Sequence, residues 1–452
     1  MFYGFNMLEV KDIFLTPIYL IIVYLIALYF RPKVTSPLDR SYYLPALTLK
    51  IIGSIALGMI YTFYYSAGDT TSYFFHSRLI TDAILDSPAT GLQLLLSHGQ
   101  YVPSFQPYVS KMFWYEAPAE FFVARVAAII NLLTFSTYLP TAMFFALLSF
   151  SGMWAMFRTF LKLFPGLHRQ LAIALFFMPS VFFWGSGLMK DSLCLGGLGW
   201  MLYAAFQLVI EKKKPILSLL ILFCSAYPIL IMKAYIVLAF MPPVLFWVIN
   251  ETGSRIRNRL ARRILGPLFL IAGVGVAAVG LTKLTAGDAR FDLDQVAERA
   301  KITADYIYRV SVEQGGAAYN LGEMDGTMGG MLKLAPQAMN VTLFRPYIWE
   351  VRNPIMLLSA LESTLFLYLT GLLLFQTGII KTFRLIGSIP ILQMCFTFAA
   401  IFSIAVGLST NNFGTLARYK VPMMPFYLSG LYIARHLAQQ QKAQRVRRLI
   451  LT

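Results

Sequence analysis

The sequence predicts an all-α protein: a polytopic membrane helix bundle with about eleven transmembrane helices and two large outer loops carrying interfacial helices. Three observations predict it. Hydrophobic residues make up 58% of the 452-residue chain and charged residues 13%, with a mean hydropathy of +0.65. A soluble domain is about 45–50% apolar and about 25% charged. Apolar runs of spanning length recur along the whole chain, and positive charge gathers in the short segments between them. An ordinary soluble enzyme is thereby excluded, and an aromatic content of 15% excludes a disordered chain.

A spanning helix needs about 20 mostly apolar residues. Such runs place spans near 13–30, 43–65, 139–161, 171–188, 192–211, 215–230, 235–249, 265–284, 355–377, 386–408 and 420–437. The first is preceded by Glu9, Lys11 and Asp12 rather than a basic leader, so it reads as an uncleaved helix with its N-terminus outside. Splitting 215–249 at Tyr227-Pro228 and Lys233 into an outer hairpin keeps Lys212–Lys214 and Arg255–Arg263 on one side. The run 121–138 contains Arg125 and Asn131 and is expected to lie at the outer interface without crossing. The chain reads as one integral membrane domain, 1–452, with outer loops 66–138 and 285–354 and a basic inner tail, 438–452.

Charge tests this layout. The proposed inner segments 31–42, 157–170, 211–214, 250–263, 378–385 and 435–452 hold 21 Lys or Arg against Asp39, Glu211 and Glu251. The rest of the chain holds 17 basic and 18 acidic residues, so the net +17 belongs to the inner side. The positive-inside rule predicts this, and no nucleic-acid partner is needed. The run Arg255–Arg263 reads as an anchor on anionic headgroups. The three cysteines, Cys194, Cys224 and Cys395, lie in apolar runs without ligand spacing and read as packing residues.

Four polar clusters fall at the outer level of this layout. In the first, Gly68-Asp69 precedes Tyr73, His76 and Arg78. A helix starting there puts Asp69, Tyr73 and His76 on one face, where carboxylate and imidazole suit acid–base work. Asp69 equally suits an N-cap. The second is Pro179 to Asp191, ending in Lys190-Asp191, either a self-neutralising pair or a phosphate cation with its orienting acid. The third is Arg345, Glu350 and Arg352, with Glu362 about two turns into the next span. The fourth is Arg418-Tyr419-Lys420 before Pro422 and Pro425. It is either a pair of snorkelling anchors or a phosphate site, since outer cations oppose the charge trend. Lys233 opposes it likewise, and Lys50 is expected to snorkel inward. Asp292-x-Asp294 has the form of a metal–phosphate clamp but reads as solvated surface, so no metal or other cofactor is expected. No internal repeat, Walker A motif or Gly-x-Ser-x-Gly elbow is present.

Three of these features resemble the GT-C class of membrane glycosyltransferases: Gly68-Asp69 with Tyr73, the Pro179–Asp191 turn, and the Arg418-Tyr419-x-x-Pro422-x-x-Pro425 entry to the last span. The acidic loop here follows the second span instead of the first, and no second acid flanks Asp69. The resemblance implies transfer of a sugar from a polyprenyl-phosphate carrier to a hydroxyl acceptor at the periplasmic face of a bacterial inner membrane. It implies an acidic general base, for which Asp69 is the match; the shared helix face adds His76 as its assistant. It implies cations such as Arg418, Lys190 or Arg345 on the carrier phosphate; the polar clusters themselves add Arg78, Asp191, Lys233, Glu350, Arg352, Tyr419 and Lys420 as candidate substrate contacts. Membrane lipid and other proteins of glycan assembly are the implied partners. Wzy-type polysaccharide polymerases also have about this many spans and two large outer loops. A flippase and a non-catalytic membrane subunit are the readings from other classes.

Overall fold

The computed structural model describes residues 5–253, 296–313, 316–322 and 325–451. The expected span 265–284, the basic run 255–263, Gly315 and Asp292-x-Asp294 lie outside the described residues. Regular structure among the described residues is helical, with one isolated antiparallel bridge, Ala318–Asn412. The α-helices of six or more residues are α1 (Val10–Val34), α2 (Arg40–Phe63), α3 (Asp69–Asp86), α4 (Pro88–Leu96), α5 (Pro118–Thr134), α6 (Tyr138–Leu163), α7 (Pro179–Trp184) and α8 (Lys190–Phe206). They continue with α9 (Pro215–Gly253), α10 (Val296–Glu313), α11 (Met328–Phe344), α12 (Pro354–Thr377), α13 (Ile379–Ser388), α14 (Pro390–Thr410), α15 (Phe413–Tyr419) and α16 (Met424–Leu451).

Among the described residues seven helices are long and apolar enough to cross a bilayer: α1, α2, α6, Lys190–Glu211, Pro215–Glu251, Met356–Thr377 and α14. The differences from the expected eleven have local causes. The run 171–188 is not one helix. It passes through a π-helical turn, Ile173–Phe177, then extended Met178 (φ −76°, ψ 123°), and restarts at Pro179. The run 215–249 is one helical element that continues through Tyr227-Pro228 and breaks at Lys233 (φ −150°, ψ 66°). Each side of that break is about 18 residues, or ~27 Å, close to the ~30 Å of a bilayer core. The last expected span falls in α16. Its first half, including Met424, Phe426, Leu428 and Leu431, is buried in protein, and polar residues fill its second half. The run 121–138 stops at Phe135 and Ser136, both left-handed (φ 55° and 50°), so α5 is 17 residues and ends before α6 begins. Cys194 and Cys395 are buried as expected, whereas Cys224 is exposed on the apolar surface of α9.

The chain divides into two compact units. The first comprises Met1–Leu163, Val181–Ala204 and Ile216–Tyr235. Its frame is α1, α2 and α6. The Asp12 carboxylate accepts from the Leu139 N–H (2.8 Å), while the Val34 carbonyl accepts from Trp154 Nε1 (3.1 Å) and Arg158 Nη1 (2.6 Å). These two ties set α1 and α6 parallel. They define a basic end, where Arg158 also faces Asp39 (3.7 Å), and an opposite loop end. At the loop end 66–138 folds as a helical layer with its own core. Leu79, Ile80 and Ala83 of α3 pack on Leu94, Phe105 and Met112 and on Phe121, Ala124 and Ala128 of α5. Lys50, midway along α2, does not snorkel. It is fully enclosed, and its ammonium donates to Ser149 Oγ (3.1 Å) and to the carbonyls of Val181 (3.2 Å) and Gly185 (2.8 Å).

The close crossing of α6 and α8 depends on glycine. A Cβ on Gly152 would lie 1.8 Å from the Gly196 carbonyl oxygen, with backbone on both sides. Gly152→Val is therefore expected to lower stability by about 1–3 kcal/mol through forced separation of the helices. Thermal unfolding of the detergent-solubilised protein checks this; an unchanged midpoint contradicts the crossing.

The second unit comprises Phe164–Ser180, Ala205–Pro215 and Ile236–Thr452. Here α14 packs against α10, α11 and α16. Its helix starts are set by side-chain caps: Asn353 accepts from Met356 N (2.8 Å), Asn412 from Thr415 N (2.9 Å) and Thr327 from Gly330 N (3.0 Å). The amphipathic helix expected within 291–314 is α10, and the Gly- and Met-rich stretch after it leads into α11 at Met328.

Candidate functional site

In the first unit α3 starts where Gly68 adopts φ 151°, a conformation that glycine takes without strain. Gly68 is the cap, and Asp69 is the first helical residue. Its carboxylate is half-buried in the first turn, where the helix dipole favours an anion. Tyr73 and His76 share an inward face, as the spacing predicts, but that face is packed. Tyr73 lies 5.0 Å from the Trp114 ring, and His76 lies 4.4 Å from Phe113 and 5.5 Å from Trp114. His76 has no exposed surface, and neither ring nitrogen has a hydrogen-bond partner. Burial pushes its pKa down to about 4, so the imidazole is neutral at pH 7. The expected acid–base partnership with Asp69 is corrected accordingly: in this packing His76 makes no hydrogen bond to the carboxylate and is fully enclosed.

The neighbouring cations are paired with acids from elsewhere in the chain. Arg78 is bound to Glu9 and lies over the rings of Phe5 (5.7 Å) and Phe74 (6.0 Å). Lys190, the first residue of α8, is bound to Glu120 in the first turn of α5. Asp191 takes Lys233 at 2.5 Å, with both side chains buried. The ammonium of Lys233 thus sits at the break in α9. Lys190 and Asp191 each have a distant partner, which neither sequence reading of the pair foresaw. Glu9 and Glu120 are the partner acids that the motif spacing does not reveal. Their one sequence signal is an acid at or beside a helix N-terminus.

In the second unit Arg345 holds Glu350 with a forked contact: Nε donates to both carboxylate oxygens (3.1 and 3.0 Å) and Nη2 to one of them. Glu350 also accepts from the Tyr347 N–H (2.8 Å). The bond to Glu350 raises the Arg345 pKa. Burial is the largest single influence on Glu350 and works to raise its pKa, but the Arg345 hydrogen bonds, the Tyr347 N–H and the Arg345 charge together outweigh it and hold the carboxyl below its usual range. The guanidinium also stacks over Phe413 at 5.1 Å. Arg352 is exposed and reaches the Gly316 carbonyl (3.4 Å). Lys420 is no snorkelling anchor: it is fully buried and donates to Ser363 Oγ (2.8 Å) and the Arg345 carbonyl (3.5 Å). One residue before Ser363, Glu362 accepts from the Ser180 N–H (2.7 Å) and hydroxyl, which caps the start of α7. Arg418 and Tyr419 are half-buried in the last turn of α15. A polar cavity of about 500 Å³ lies in the same unit, lined by Lys301, Asp305, Tyr308, Asn320 and Asn411 among others.

Asp69, His76, Arg78, Lys190, Asp191 and Lys233 thus belong to the first unit, and Arg345, Glu350, Arg352, Arg418, Tyr419 and Lys420 to the second. Among the described residues no cluster of His, Cys, Asp and Glu forms a metal site. Comparisons with protein families, curated proteins and solved structures find no match to the chain.

Proposed function

We propose that this is a membrane glycosyltransferase, GT-C-like, that moves a sugar from a polyprenyl-phosphate-linked donor to an acceptor hydroxyl during cell-surface glycan synthesis. Its setting is a bacterial inner membrane, N-terminus outside and C-terminus inside, with the loop end of the first unit facing the periplasm. The observation that carries the reading is the construction of 66–138. Instead of a simple connection it is a cored helical layer, and it holds a half-buried carboxylate, Asp69, at its entry. Asp69 takes the proton of the acceptor hydroxyl, whose oxygen attacks the anomeric carbon. The bond from that carbon to the carrier oxygen breaks, and cations stabilise the departing phosphate. In the first unit Lys190 and Arg78 already hold carboxylates, Glu120 and Glu9, and act on the field of the site. A Wzy-type polymerase would use the same chemistry on whole repeat units.

Asp69→Asn tests the reading. Expected is loss of glycan product at wild-type protein level and melting temperature; normal product would remove Asp69 as the base and favour a non-catalytic subunit. One observation favours a transporter instead. A buried charge, Lys50, sits midway along a spanning helix, and the chain is broken at 173–179 and at Lys233. Transporters build their midplane sites from such features. Movement of a fluorescent lipid-linked sugar across vesicles by the Asp69→Asn protein would support that reading.

A further inference from the structure

We propose that the first unit binds one anionic phospholipid at its basic end, with an acyl chain in the groove behind α1 and the phosphate on Arg158 and Lys162. The inference rests on the membrane character of the chain and not on the glycosyltransferase reading. Helix α1 is fastened near both ends, by Asp12 to Leu139 N and by the Val34 carbonyl to Trp154 and Arg158. Between those ties its buried contacts are Thr16, Val23 and Ala27, all small or branched. They leave a groove of about 470 Å³ whose far wall is Tyr43 and Leu47 of α2, Phe150 and Trp154 of α6, and Trp200 of α8. Both indole N–H groups in that wall have protein partners: Trp200 Nε1 donates to Ser151 Oγ (3.0 Å) and Trp154 Nε1 to the Val34 carbonyl (3.1 Å). Such a surface calls for hydrocarbon, since unfilled apolar walls forfeit their dispersion contacts.

The charge at one end selects the occupant. Arg158 and Lys162 line the groove one helical turn apart on α6, so they share a face. Arg158 donates from Nη1 to the Val34 carbonyl, its Nε lies 3.7 Å from Asp39, and a third of its side chain stays exposed. The same end carries Arg31, Lys33 and Arg40 against one acid, Asp39. That balance favours an anionic headgroup over a zwitterionic one. Length favours an acyl chain over a polyprenyl tail. From Tyr19 to Val34 the groove follows α1 for about 22 Å, somewhat more than one ~15 Å leaflet core. A many-unit prenyl chain exceeds it, and the site lies at the end of the unit opposite Asp69.

Native mass spectrometry of the delipidated full chain, titrated with phosphatidylglycerol or phosphatidylcholine of identical chains, tests this. Expected is one retained phosphatidylglycerol, bound roughly tenfold or more tightly than phosphatidylcholine, and a roughly fivefold loss of that preference in Lys162→Gln. Ala27→Phe fills the groove and should remove retention of both lipids. Ser151→Phe does so from the opposite wall, should Ala27→Phe fail to give a monodisperse protein with an intact melting transition. Equal retention of the two lipids, or full phosphatidylglycerol retention in a folded groove-filled variant, overturns the proposal. So does displacement of phosphatidylglycerol by undecaprenyl phosphate, which would make the groove a carrier site.

Discussion

Lys233→Ala is expected to destabilise the first unit by about 3–5 kcal/mol, because it removes one partner of a buried ion pair and leaves the other charge in protein. The two side chains are 8% and 1% exposed, so water cannot take over for the missing ammonium. Asp191→Ala should cost a similar amount. Replacing both, as Lys233→Met with Asp191→Leu, should cost far less than the sum of the two, since no uncompensated charge then remains. Lys190 with Glu120 is the internal control. That pair is 13% and 26% exposed, and its loss should cost nearer 1 kcal/mol. Chemical denaturation of the four proteins in one detergent reads the cycle. Additive single and double effects would mean that Lys233 and Asp191 do not depend on each other in the folded protein.

What the sequence makes legible here is set by the range of each interaction. Hydropathy and length are local properties, and they locate α1, α2, α6, α8, α12 and α14 to within a few residues. The helical face shared by Tyr73 and His76 is local too, and it is present. What covers that face is not local: Phe113 and Trp114 arrive from some 37 residues away, and they turn a presumed reactive face into core. Ion partners are equally remote. Lys190 finds Glu120 at a separation of 70 residues and Asp191 finds Lys233 at 42, so adjacency of Lys190 and Asp191 carries no information about either bond. The break at 173–179 has a different origin. Ile173–Phe177 is apolar and continuous in sequence, and the π-helical register followed by extended Met178 depends on packing that hydropathy does not encode. Lys50 shows the same limit, since its oxygen acceptors come from residues 149, 181 and 185.

Acid should weaken the fold through His76. An imidazole of ordinary pKa about 6.5 in the unfolded chain has a folded pKa of about 4, because burial among aromatic rings disfavours the charged form. Above pH 6.5 both states are neutral and the residue makes no difference. As pH falls from 6.5 towards 4 the unfolded chain binds the proton that the folded chain refuses. Stability then drops by about 1.4 kcal/mol per pH unit, roughly 3 kcal/mol in all, and levels off below pH 4. Carboxylates titrate in the same range, so the informative quantity is the difference between wild type and His76→Phe. That variant keeps the ring contacts with Phe113 and Trp114 and loses the titration. Its stability should therefore equal or exceed that of wild type at pH 7 and pull further ahead as pH is lowered to 4. Parallel curves would mean that the imidazole is hydrogen-bonded or protonated in the folded protein, and its place as a partner to Asp69 would be restored. The same variant separates packing from chemistry at neutral pH: if Asp69 acts without His76, His76→Phe forms glycan product as wild type does while Asp69→Asn does not.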